Sequence, residues 1–212
     1  MFKSISQSPG TPELKTFGDF LHYAYANMQM LIMAISTGRE KFDRTCFMVR
    51  SKAFKSYRTK QWHIQDLHIN NVWKMMNGEY CWYCLSKLQK QELTIEHIFP
   101  RSKGGSNDID NIVLVCKSCN SSKQALDVLE WFIDTKKEWP KPYVFAYYLK
   151  LVYLYAVRNN LLDLTSEEID QLALPFKYQY LPLRYSEQYL EDSSNACIDK
   201  RHPDNADAYI GT

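Results

Sequence analysis

Cys81-Trp82-Tyr83-Cys84 and Cys116-Lys117-Ser118-Cys119 are two C-x-x-C pairs, and what lies between them decides the fold. Each pair brings two thiolates within reach of one ion. Four such soft ligands complete the tetrahedron that zinc prefers and leave no position for water, so the spacing predicts a structural zinc on Cys81, Cys84, Cys116 and Cys119. Two matched pairs in a charged chain point to metal rather than to disulfides. The 31 residues between the pairs, Leu85 to Val115, exceed the spacing of a simple zinc ribbon and are expected to hold something more.

That interval has its own order. Glu92 to Phe99 alternates around the β-prone Leu93, Ile95 and Ile98, Gly104-Gly105 with Ser106-Asn107 marks a loop, and Ile112-Val113-Leu114-Val115 reads as a short apolar strand. Asn120-Ser121-Ser122 has the composition of a helix N-terminus, with Ala125, Leu126, Leu129, Phe132 and Ile133 as the apolar face behind it. Strand, loop, strand and helix follow one another; the zinc is expected to join the start of the first strand to the end of the second, and so to draw the end of the first strand and the start of the helix into one pocket. Glu96 and Asn120 offer a carboxylate and an amide oxygen, hard ligands suited to Mg²⁺ or Mn²⁺ with bound waters and phosphate oxygens. Imidazole, as at His97, is the side chain that exchanges protons near neutrality and can activate a water. The combination points to phosphodiester hydrolysis. By themselves Asn120 also reads as a helix cap and Asn111 as a turn cap.

Thr94-Ile95-Glu96-His97-Ile98-Phe99-Pro100-Arg101-Ser102-Lys103-Gly104-Gly105, followed by Asn111-Ile112-Val113-Leu114-Val115-Cys116 and then Cys119-Asn120 and Lys123, resembles the His-Asn-His (HNH) endonuclease motif in its cysteine-flanked ββα-metal form. The likeness runs from about Tyr80 to Asp134 and includes both intervals, 14 residues from His97 to Asn111 and 23 from His97 to Asn120. It implies a catalytic set of His97, Glu96, Asn111 and Asn120. His97 would be the general base, Glu96 and Asn120 the holders of one divalent ion, and Asn111 the residue that orders the glycine loop and orients His97. The family more often carries Asp where this chain has Glu96. Arg101, Lys103 and Lys123 are candidate phosphate contacts, with solvated surface as the alternative for each.

Around this core the chain divides into a helical N-terminal segment (1–79), the nuclease core (80–135), a helical C-terminal segment (136–185) and an acidic, partly ordered tail (186–212). The expected fold is α+β, a central ββα-metal motif surrounded by mainly α-helical flanks. Helices are expected from Thr11-Pro12-Glu13 to about Thr37, over Ile64 to Met76, over Tyr143 to Asn159, and from the Thr165-Ser166-Glu167-Glu168 capping box to Leu174. The stretch 44–62 is basic and aromatic without one acidic residue, suited to holding phosphates and stacking bases or to lying solvated over a core. With 26 Lys and Arg against 24 Asp and Glu, global charge announces no polyanionic partner, so any basic footprint is local. No apolar run suggests a membrane span, and a cytoplasmic location is expected. The expected partner is nucleic acid, DNA ahead of RNA, with room for a protein that supplies specificity or regulation. Two other functions fit parts of the pattern: an RNA-cleaving toxin or antiphage effector that works with a partner such as an ATPase, and a zinc-stapled nucleic-acid-binding module without catalysis.

Overall fold

A computed structural model describes residues 12–60 and 80–197. The helix expected over Ile64 to Met76, the first eleven residues, and the acidic stretch from Ile198 onward lie outside them. Among the described residues the architecture is α+β, one two-stranded antiparallel sheet among helices.

The first helix, α1 (Phe17–Ser36), starts later than Pro12 suggests, because Thr16 rather than Thr11 caps it and accepts a hydrogen bond from Asp19 N. It ends as expected: Gly38 takes φ +62° and Arg39 N donates back to Ala34 O. Buried residues surround α1 on nearly every side, so it is a central core helix that packs against α2 (Arg44–Arg58), α5 (Pro142–Arg158) and α7 (Glu187–Cys197). Between them, α6 (Ser166–Asp170) begins on the full Thr165–Glu168 capping box. The start of the acidic segment is thus helical, with Tyr189 and Leu190 in the core.

Strands β1 (Leu93–His97) and β2 (Ile112–Cys116) pair in register from Leu93 opposite Cys116 to His97 opposite Ile112. Helix α3 (Lys117–Lys123) follows β2 directly, with the Cys116 sulfur accepting from Cys119 N at its start. The helix therefore begins before Asn120, which lies within it and is not its cap. It also ends early. Asp127 starts a new helix by accepting from Leu129 N and Glu130 N, so α3 and α4 (Val128–Glu130, continuing as a π-helical Trp131–Lys136) are separate pieces of what the apolar spacing suggests is one helix.

A two-stranded sheet of five-residue strands cannot bury a core alone, and this one rests on aromatic rings. Trp82 meets Tyr143 and Tyr147 of α5 edge-on, at 5.4 and 5.5 Å between ring centroids, and Tyr143 Oη donates to Trp82 O at 2.6 Å. Tyr83 packs on Trp131 and Phe132, and Phe99 packs on Tyr148 and Phe176. The residues between the first two cysteines are thus anchors to the helical body. Trp82→Ala is expected to lower stability by about 3–5 kcal/mol, the range for a large aromatic removed from a packed interior. Urea unfolding of the zinc-loaded protein would measure the destabilisation, and a change under about 1 kcal/mol would show that Trp82 is not an anchor.

Candidate functional site

Two groups of donors occupy opposite ends of the ββα unit. The sulfurs of Cys81, Cys84, Cys116 and Cys119 all lie within 4.8 Å of one another, and Cys84 Sγ is 3.9 Å from Cys116 Sγ. Zn–S bonds of about 2.3 Å give a tetrahedron with edges of about 3.8 Å, so the cluster has the size and donor chemistry of a closed site that could hold zinc. The hydrogen bond between Cys81 and Cys119 pulls the Cys81 thiol down and pushes the Cys119 thiol up. Cys46, buried elsewhere in the core, takes no part.

The strand register sets this staple where the sequence places it, joining the start of β1 to the end of β2. Cys116 lies opposite Leu93, so the sulfurs grip the start of β1, and Glu96 and His97 sit at the far end. What joins the far end to the helix is α3 itself, which runs along β1. Asn120 Nδ2 donates to Thr94 Oγ1 at 2.9 Å, and one helical turn on, Lys123 Nζ reaches Glu96 Oε1 at 2.5 Å and His97 O at 3.1 Å. Strand alternation puts Thr94 and Glu96 on one face, and the three-residue helical spacing puts Asn120 and Lys123 opposite them.

Each sequence-predicted residue now has a place. Glu96 is 7 % exposed, with one oxygen taken by Lys123. Asn120 is half-buried. Its NH₂ donates to Thr94 Oγ1 and Ile95 O, which leaves Oδ1 as the atom able to meet a cation. The side chain of His97 is partly exposed at the strand end, where Nε2 lies 3.0 Å from Asn107 Oδ1. An amide oxygen only accepts, so this pairing protonates Nε2 and leaves the lone pair on Nδ1. Asn111 is buried: Oδ1 accepts from Phe99 N, while Nδ2 donates to Phe99 O and Ser106 O, tying both arms of the loop together. In that loop Gly104 has φ +91°, and a Cβ on Gly105 would lie 1.8 Å from Phe99 O, so both glycines are required by the backbone.

Arg101 and Lys103 are exposed beside this loop, as phosphate contacts would be. Lys123 is not: it is 0 % exposed, its ammonium faces Glu96 and the His97 carbonyl, and it is removed from the surface contacts. Burial pulls its pKa down while Glu96 acts in the opposite sense. Sequence reasoning missed Thr94 and Asn107. Thr94 was visible in principle, two residues before Glu96 on an alternating strand; Asn107 lies in a loop, where no periodicity marks it. On α2, Arg44, Lys52 and Lys55 are exposed on one face together with Phe47 and Met48, whereas Arg58 pairs with Asp19.

Removing metal from the sulfur cluster is expected to unfold the ββα unit, because ion binding there is folding free energy. Chelation followed by circular dichroism and thermal melting would check this, and an unchanged melting profile in metal-free protein would contradict it.

Residues 81–128 match the family described as HNH endonuclease. A Bacillus subtilis (strain 168) protein, described as a candidate HNH endonuclease derived from the SPbeta prophage, is 29 % identical over 98 residues, 40 % of this chain and 42 % of that protein. The chain thus spans about two fifths of the length of the curated relative it matches. No solved structure matches the chain. The staple, the adjacent Glu96 and His97 and the helix that faces them all fall inside the matched stretch, so the likeness to HNH endonuclease covers the whole candidate site, and helices outside it make up most of the rest of the described residues.

Proposed function

We propose that the chain is a metal-dependent endonuclease that hydrolyses phosphodiester bonds, with DNA as substrate and His97 as general base. The observation that supports this best is the α3–β1 pairing, which brings the free amide oxygen of Asn120 and the carboxylate of Glu96 to one strand face next to His97. Two oxygen donors suit Mg²⁺ or Mn²⁺, ions that retain waters and accept phosphate oxygens as further ligands. When bound there, such an ion supplies Lewis-acid stabilisation of the scissile phosphate and the leaving 3′ oxygen.

The chain's own groups do the rest. Asn107 holds the His97 ring by Nε2, so Nδ1 is the atom that takes the proton from the attacking water. Asn111 fixes the loop from which Asn107 projects. Arg101 and Lys103 at the loop surface receive the flanking phosphates, and the exposed cations of α2 add a cationic face for the backbone beyond. Zinc on the four cysteines takes no part in the reaction, since four thiolates fill its coordination sphere.

Incubation of the zinc-loaded protein with plasmid, single-stranded DNA and RNA in Mg²⁺ or Mn²⁺ tests the proposal. His97→Ala is expected to slow cleavage by about 10² to 10⁴, and Asn107→Leu by less, with the melting temperature of both preserved. Cleavage that survives His97→Ala removes His97 as base. Cleavage of RNA alone transfers the activity to the toxin-like reading, and failure on every substrate favours a missing partner or the binding module. In the His97→Ala background, changing Arg44, Lys52 and Lys55 to Ala together should flatten the salt dependence of DNA binding, by about 0.9 in log–log slope for each phosphate that is no longer neutralised. An unchanged slope would exclude α2 from the interface.

A further inference from the structure

We propose that Lys123 is a positioning residue for the divalent-ion site, holding Glu96 by one carboxylate oxygen so that the other is set for the ion. The inference rests on the assignment of Glu96 and Asn120 as the holders of that ion. It starts from an anomaly of burial. Lysine almost never lies fully inside a protein, because stripping water from an ammonium costs several kcal/mol, yet Lys123 has no exposed surface. A lysine three residues past Asn120 on a short helix could have swung outward to meet phosphates. It points inward instead.

Its two acceptors are the residues on which the proposed chemistry depends. Nζ touches Glu96 Oε1 and the main-chain oxygen of His97, so one ammonium ties the side chain of the ligand to the backbone of the base. Because Asn120 and Lys123 share a helix face, α3 delivers a ligand and the clamp for its partner ligand together.

Charge gives a second reason for a lysine at this place. A buried carboxylate without a partner is unfavourable, and the adjacent ammonium compensates its charge and fixes its orientation. The other buried acid that acts on Lys123, Asp127, has its own partners in Tyr148 Oη, Leu129 N, Glu130 N and Lys177 N, so it does not compete as the primary contact. Stability alone does not account for the pair, since apolar side chains of similar volume stabilise an interior as well or better.

The test measures Mn²⁺ binding to zinc-loaded protein by calorimetry, independent of cleavage. Lys123→Met is expected to weaken Mn²⁺ binding by about 10- to 100-fold, the usual effect of removing a partner behind a metal ligand, with zinc content unchanged. Lys123→Arg, which keeps the charge, should recover part of that affinity. Equal or tighter Mn²⁺ binding by folded Lys123→Met would overturn the proposal. Should the variants fail to fold, the wild type decides: in protein labelled with ¹⁵N-lysine, Mn²⁺ should broaden one buried ammonium resonance, and a buried ammonium that stays sharp in the Mn²⁺-bound protein overturns the inference while leaving the functional reading intact. Absence of any Mn²⁺ binding to the wild type overturns both.

Discussion

Four sulfur atoms confined within 4.8 Å of one another are the constraint from which the rest of the site follows. The hairpin they close has only five-residue strands, too small to hold a register through its own apolar contacts. One ion on four thiolates would fix the start of β1 against the end of β2 and set the first residues of α3 beside both. The aromatic pair inside the first cysteine motif then fastens this assembly to α5 and to the helix after Asp127. The helical flanks act as a floor, and the long tyrosine-rich helix has its place in the fold as that floor.

From the staple outward, α3 runs along β1 like a brace. Cys119 sits at the sulfur cluster, Asn120 at the level of Thr94, and Lys123 at the level of Glu96. Under the proposed assignment this progression would separate two kinds of metal chemistry. The sulfurs sit at the start of β1 and the proposed ligand Glu96 near its end, with Asn120 on the helix between them, so soft and hard ions would be sorted by ligand type. Rigidity at the sulfur end becomes geometry at the oxygen end, where a strained or loose loop would misplace His97. The glycine loop completes the arrangement because Asn111 satisfies its backbone from within and Asn107 reaches the imidazole.

Much of this was legible in the sequence. The cysteine spacing, the two strands and the glycine loop show themselves through strong local signals, and the capping box at Thr165 and the glycine stop at Gly38 do so by backbone chemistry alone. The residues that went astray did so where tertiary packing decides. Thr16 outcompetes the Thr11-Pro12 start because Phe17 N and Gly18 N are held by Leu164 O and Leu162 O, contacts far away in the chain. Asp127 splits one apolar pattern into two helices because Tyr148 and Lys177 bind its side chain from other elements. Lys123 reads as a surface cation until the fold closes over it, and nothing local distinguishes it from Lys103.

The central claim is that one helix joins a closed zinc to a separate, exchangeable hard-ion site. It is tested most directly by a crystal structure of Mn²⁺-soaked protein with anomalous scattering recorded at the zinc and manganese edges. The account predicts a zinc peak among Cys81, Cys84, Cys116 and Cys119 and a distinct manganese peak contacting Glu96 and Asn120 Oδ1. Manganese bound only at the cysteines, or bound at a place that leaves both Glu96 and Asn120 free of metal, would contradict it.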